Sequence, residues 1–138
     1  MYERNQTRPI AERIAASRVD MLIAIYEAAI EATENAARML LAGQDYEAAM
    51  RRSQALALVG LIESGLDMTQ GEIPKRIKEL CGFIEQSLLS SKPDQIAAAA
   101  RILRNLHDGF VGIKAEARTL EDMGTIPQLA INAVDTLV

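Results

Sequence analysis

The sequence predicts an all-α protein, an antiparallel up-down four-helix bundle with an N-terminal arm and a short extra C-terminal helix. Three observations carry this. Hydrophobic residues make up 49% of the 138 positions and are mostly Ala, Leu, Ile and Met, which favour helices. Aromatic residues are only 4%, so the types that fill strands are thin. Apolar positions recur at helical spacing in four successive stretches separated by short breaks. A chain of this length holds one domain with one core.

Residues 1–17 read as a polar arm containing Pro9, with a helical turn or more from Ile10 to Ala15. The bundle proper is expected over 18–118. Its first helix starts near Ser17, an N-cap type, with Asp20 three residues on. The pairs Met21/Leu22, Ile25/Tyr26, Ala29/Ile30, Ala36/Ala37 and Leu40/Leu41 form its stripe, and Gly43 suits the position just past its end. A second helix begins near Asp45, taken as its N-cap, and carries Ala49, Leu56, Val59, Ile62 and Leu66. Gly65 and Gly71 bracket its end. Ile73, Ile77, Leu80/Cys81, Ile84 and Leu88 mark a third helix, with Pro74 tolerated in its first turn. Ser90-Ser91-Lys92-Pro93 breaks it. The fourth runs from about Asp94 to about Arg118 on Ile96, Ala99/Ala100, Leu103, Leu106, Phe110, Ile113 and Ala117. Short links force neighbouring helices to run antiparallel. Residues 119–138 form a tail interrupted by Gly124 and Pro127. Within it Ile126, Leu129/Ala130, Ala133/Val134 and Leu137 repeat at the spacing of a fifth short helix.

Composition narrows the function. Nineteen acidic side chains against 15 basic ones give a net charge of −4. No Lys/Arg run supplies the basic face that nucleic acid requires, so no nucleic-acid partner is expected. One Cys, Cys81, and one His, His107, are too few for a zinc site, and a lone Cys suits a reducing compartment. The opening residues lack a signal-peptide core, and the longest strongly apolar run, Met21–Ile25, is far too short to span a bilayer. A cytoplasmic location without membrane insertion is the expectation.

No catalytic, cofactor or metal constellation emerges. A di-iron bundle needs Glu-x-x-His pairs, but Arg104 stands three before His107. Glu27 and Glu31 lie one turn apart and read as a solvated face. Cys81 falls among Ile77, Leu80 and Ile84 as a core thiol. Arg101 and His107 resemble the Arg-x4–6-His spacing of HEPN ribonucleases, an enzyme alternative in which the histidine acts as general acid or base. Binding another protein is the reading that fits better.

The order of the segments resembles one family, the flagellar secretion chaperones, FliS. Ala16–Ile30 resembles the family opening, Ala-Ser-Pro-x-Glu-Leu-Ile-x-Met-Leu-Tyr-Asp-Gly-Ala-Ile, matching at Ser17, Tyr26, Ala29 and Ile30. Glu27 stands for Asp, Arg18 for Pro and Ala28 for Gly. Gly43–Ala49 resembles the first turn, and Arg52-Ser53-Gln54 the Lys/Arg-Ala-Gln that follows. Leu66-Asp67 with Gly71-Glu72-Ile73 resembles the Leu-Asp…Gly-Glu-Ile corner. Leu106–Phe110 stands where the family has Leu-Arg-Asp-Ala-Trp. Cys81 and Phe83 replace aromatic positions usually filled by Tyr, and Phe110 replaces Trp. The chain reads as a divergent member.

The resemblance implies a cytoplasmic export chaperone that binds the disordered C-terminal segment of flagellin and prevents premature polymerisation. Grooves between helices offer its amphipathic stripes an apolar surface. Apolar residues off the main stripes are the candidates for client binding: Ile23, Leu58, Leu61 and Phe83, with Gln54 as a polar contact. For each, ordinary packing is the alternative. The resemblance adds Tyr26 and gives Tyr2 the role of an arm residue that covers the groove. The tail's apolar repeat mimics a client helix, so it is expected to fill the groove in cis or to reach a second copy and make a homodimer. A fifth helix packed elsewhere for stability is the alternative. Another exported or regulatory protein remains the alternative client.

Overall fold

Four helices follow one another without a strand among the described residues: α1 (Ile10–Leu41), α2 (Asp45–Ser64), α3 (Glu72–Leu88) and α4 (Pro93–Asp122). The computed structural model describes the backbone of residues 10–122 and the side chains of residues 18–116. Tyr2 and the tail residues from Ile126 to Leu137 lie outside the described residues. The helices pack in a ring in which α1 meets α2 and α4, and α3 meets α2 and α4. None of them is long and apolar enough to cross a membrane.

The links explain the ring. Gly43 has φ +75°, a left-handed conformation that costs an L side chain dearly. Its N–H donates to the Leu40 carbonyl, and the Gln44 N–H to the Met39 carbonyl at 2.8 Å. This pair of bonds closes α1 and reverses the chain within three residues. Asp45, expected as the N-cap of α2, is instead its first residue, and Gln44 holds the cap position without a side-chain bond. Asp45 and Glu47 still favour that end through the helix dipole. At the α2–α3 link, Asp67 accepts from the Thr69 N–H at 3.0 Å and its hydroxyl at 2.6 Å. Those bonds hold the exposed Asp67 carboxyl below its ordinary range. At the far end, Arg52 Nη1 donates to the Ser90 carbonyl at 2.9 Å, tying α2 to the break between α3 and α4.

α1 begins well before Ser17. That serine lies inside the helix and is not its cap. Ala11, Glu12, Arg13, Ala15 and Ala16 are good helix formers, and no Gly or Pro interrupts the stretch up to Leu41. α4 likewise continues past Arg118 to Asp122.

The core takes residues from every helix: Tyr26, Val59, Ile62, Cys81, Ile84, Leu88, Ile96 and Leu103 are essentially inaccessible. Buried alanines such as Ala29, Ala36, Ala55 and Ala99 let the backbones approach. Thr33 is buried too, and its hydroxyl donates to the Ala29 carbonyl at 2.7 Å. Six expected core positions turn outward: Ala48 is buried in place of Ala49, and Met21, Leu41, Ile73, Leu80 and Ile113 are exposed. Each sits at the edge of its stripe, where about 100° per residue separates an inward neighbour from an outward one.

Candidate functional site

Charge and size divide the four seams. Along α1, Asp20, Glu27 and Glu34 recur every seven residues. Each meets a basic side chain of α4: Lys114, His107 at 3.2 Å and Arg104 at 2.8 Å. A seven-residue repeat keeps successive side chains on one line of the helix, which is how antiparallel helices align a row of ion pairs. Ala37 and Ala100 are buried near the end of this seam, beneath a depression of about 540 Å³ that Leu41, Pro93 and Ala97 also line. Ile23 lies four residues before Glu27 and eleven before Glu34, so it shares this charged face and is half-buried against the core.

The α1–α2 seam is different. Gln54 and Leu58 line one depression of about 180 Å³ with Ala28, Ala32 and Asn35. A second, of about 300 Å³, adds Met39 and Met50. Arg51 and Gln54 line both, and Arg51 Nη1 donates to Gln54 Oε1 at 2.9 Å. Met50, Gln54, Leu58 and Leu61 follow i, i+4, i+8, i+11 and form one outward stripe on α2. Leu61 is 55% exposed. Met21, seven residues before Ala28 and eighteen before Met39, sits on the same face of α1 and is 60% exposed. The expected Gln54, Leu58 and Leu61 therefore come together, whereas Ile23 belongs to the opposite side of α1. The methionines were missed in sequence, although thioethers suit surfaces that accept varied apolar partners.

Phe83, 56% exposed, lies on a third seam. Glu85 marks the side of α3 that faces α2, since the Glu63 carboxyl of α2 is close enough to raise its pKa. Phe83 is two residues, or about 200°, away from it. Ile73 and Leu80, ten and three residues before Phe83, are exposed with it along the side towards α4. On α4, Ile102, Leu106 and Ile113 repeat at the same spacing. The first two are half-buried and pack against the core. Exposed apolar side chains thus line α3 on this side, and the sequence reading had assigned Ile73 and Leu80 to the interior.

Tyr26, also expected at the client surface, is fully buried, its ring 5.6 Å from that of Phe110. A side chain with no accessible area makes no contact with a partner, so its place is in the core. Its hydroxyl has no hydrogen-bond partner, and burial, with Cys81 nearby, raises its pKa. Cys81 is buried as well. Burial, then the charges of Glu63 and Glu85, push its thiol up to about 12, far from a reactive thiolate. Glu85 is pushed up to about 7, first by its hydrogen bond to Glu63 and then by burial. Among the described residues no group of three His, Cys, Asp or Glu is placed to hold a metal ion. His107 is bonded to Glu27 and, at 3.1 Å, to Asp108. Arg101 lies six residues away on one straight helix, about 120° around its axis, so the two do not converge on one site.

A family model described as flagellar protein FliS matches residues 2–117, taking in the grooves and all of the bundle but the last residues of α4. Neither a curated protein nor a solved structure matches the chain.

Proposed function

The chain belongs to the FliS family of flagellar proteins, and on that premise we propose that it holds the disordered C-terminal segment of flagellin in its inter-helix grooves. The family implies the coarser role, a flagellar export chaperone and not an enzyme. The finer reading is supported chiefly by one observation. Leu61, Phe83 and Met21 are each more than half exposed on a bundle whose core is already filled. Scattered surface hydrophobics are ordinary, but Leu61 extends the Met50–Leu58 stripe of α2 and Phe83 the Ile73–Leu80 row of α3, and such aligned rows suit docking.

The chemistry of the task fits two grooves. An amphipathic segment that polymerises through its apolar stripes is kept single by offering those stripes another surface. Met21, Met50, Leu58 and Leu61 present one strip beside α1, and Ile73, Leu80 and Phe83 another beside α4. Fully burying one such side chain contributes about 1.5–3 kcal/mol, from which the cost of ordering the client is subtracted. Gln54, already engaged by Arg51, supplies a polar contact that fixes register. The cytoplasm, where flagellin waits before export, is where this activity belongs. No nucleotide enters the scheme, and release is left to the export machinery.

Calorimetric titration with the C-terminal segment of flagellin from the same organism tests the reading. One-to-one binding with a strongly negative heat-capacity change is expected. Heat of dilution alone, from a chain shown to be folded, removes flagellin as the client and leaves another exported or regulatory protein in its place.

A further inference from the structure

The seam between α1 and α4 changes character at one end. Glu34 and Arg104, 2.8 Å apart, make its last ion pair. Beyond them lies the depression of about 540 Å³, within the range of about 300–1,000 Å³ in which clefts hold ligands. Its floor is apolar. Ala37 and Ala100 are buried beneath it, and Leu41, Pro93 and Ala97 stand around them. Leu41, the last residue of α1, is 75% exposed, as much as any large apolar side chain among the described residues.

The rim is charged, and most of its charges are already answered. Glu34 and Arg104 neutralise each other. Asp94 lies in the first turn of α4 and Arg38 in the last turn of α1, so each offsets the dipole of its own helix. Arg38 also donates to the Asn35 side chain. Arg101 is left over. It is exposed on the rim, with no hydrogen bond or ion pair among the described residues. Its planar guanidinium offers a fork of donors that matches a carboxylate. Ten residues line the depression, well short of the roughly 20–30 a side of a stable protein interface. A short segment fits that size, and a second copy of the bundle docked on this patch alone does not.

We propose that this depression docks a short amphipathic helix of another protein. Its apolar side chains rest on Leu41, Pro93 and Ala97, and a carboxylate one turn further on meets Arg101. The surface lies on the opposite side of α1 from the α2 strip and on the opposite side of α4 from the α3 row. One molecule therefore accepts this partner and a client together. The docking does not depend on the flagellin assignment.

Titration of the isotope-labelled full chain, followed by amide NMR shifts, tests it. The probe is a synthetic alanine-based peptide of about four helical turns, with two leucines one turn apart and two glutamates on the next turn. Saturable shifts are expected at residues 37–41 and 93–101, which frame the depression. Shifts confined to Leu58, Leu61, Leu80 and Phe83, or none at all, overturn the proposal. The same peptide with glutamine for glutamate should bind about threefold more weakly, the effect of an exposed ion pair. Equal affinity overturns the role of Arg101 and the acidic partner with it. Arg101→Glu changes an exposed side chain and should reverse the preference, while Leu41→Ser, also exposed, should weaken both peptides. If inorganic phosphate alone reproduces the shifts and Leu41→Ser has no effect, the site takes a bare anion and the proposal falls. It falls too if these amides move when the protein alone is diluted, since a second copy then fills the depression. Contacts in the free chain between the Leu41 methyls and residues outside 10–122 would show that the chain fills it by itself, with the same result. If the flagellin segment moves these amides, the depression belongs to the client site and no separate partner is needed. If the peptide docks here and flagellin binds nowhere, the client reading falls and this one stands.

Discussion

α4 makes one seam with α1 and another with α3, and the two are built on opposite plans. Towards α1 it presents Lys114, His107 and Arg104 to a row of carboxylates, with small alanines behind them. On the side turned to α3 it carries Ile102 and Leu106, half-buried against the core, while Ile73, Leu80 and Phe83 of α3 are exposed. The first seam is bridged by charged pairs along its length and opens at its Leu41–Pro93 end into a depression of about 540 Å³. The second keeps apolar area in water, which costs free energy unless something else covers it. The same helix thus holds the fold together on one side and remains available on the other. Stability and binding should be separable by substitutions on α3 and α4.

The strongest way to break this comparison uses adjacent residues. Ile84 is fully buried and Phe83 is not. Ile84→Ala should lose about 2–5 kcal/mol of stability in chemical unfolding, because it leaves a cavity in the core. Phe83→Ala should stay within about 0.5 kcal/mol of wild type while weakening flagellin binding roughly tenfold or more, as removal of a central aromatic anchor does. Equal losses of stability in the two variants would refute the division.

A smaller effect of opposite sign is expected at Tyr26. Its hydroxyl is buried without a partner. Tyr26→Phe keeps the ring against Phe110 and removes the unsatisfied group, so it should raise stability by about 1 kcal/mol. A thermal midpoint lower than wild type would show that the hydroxyl is bonded in solution.

The Glu63–Glu85 pair sharpens the contrast through pH. Glu85 is raised from 4.5 to about 7, so between those values the folded chain holds a proton that the unfolded chain releases. Its contribution is fully present below about 4.5 and is lost as pH rises through 7, so stability should increase when pH falls from 8 to 6. In Glu85→Gln that slope should flatten, as measured by midpoints of denaturant unfolding across the range. The smallest effect belongs to the exposed ion pairs. Glu34→Gln should cost at most about 1 kcal/mol, and the cost should shrink at high salt.

The four helices were legible because their stripes are long and their punctuation is plain. Gly43, with its positive φ, and the break before Pro93 both lie where the sequence placed them. The start of α1 was not legible, since a serine that could cap a helix also sits acceptably inside one when alanines surround it. The grooves were half legible. Gln54, Leu58 and Leu61 share one face of one helix, and helical spacing alone groups them. Ile23 and Phe83 could not be placed that way. Spacing gives an angle around each helix but not which neighbour stands at that angle, and this depends on the order in which the bundle closes. Ile73 and Leu80 were read as interior for a related reason. An apolar residue at the margin of a stripe belongs to the core or to a groove according to how near the next helix lies.

The ion-paired seam also sets an order in time. Glu34 and Arg104 are 70 residues apart in sequence, and Glu27 and His107 are 80 apart. The α1–α2 hairpin, closed by three residues at Gly43, can form as soon as its own chain has emerged. The partner face of α1, with Ile23 and Ile30, must wait for nearly the whole bundle to be synthesised. Loop closure over such separations is what slows folding, so joining α1 to α4 is the late step, and a nascent chain carries that side of α1 open until then.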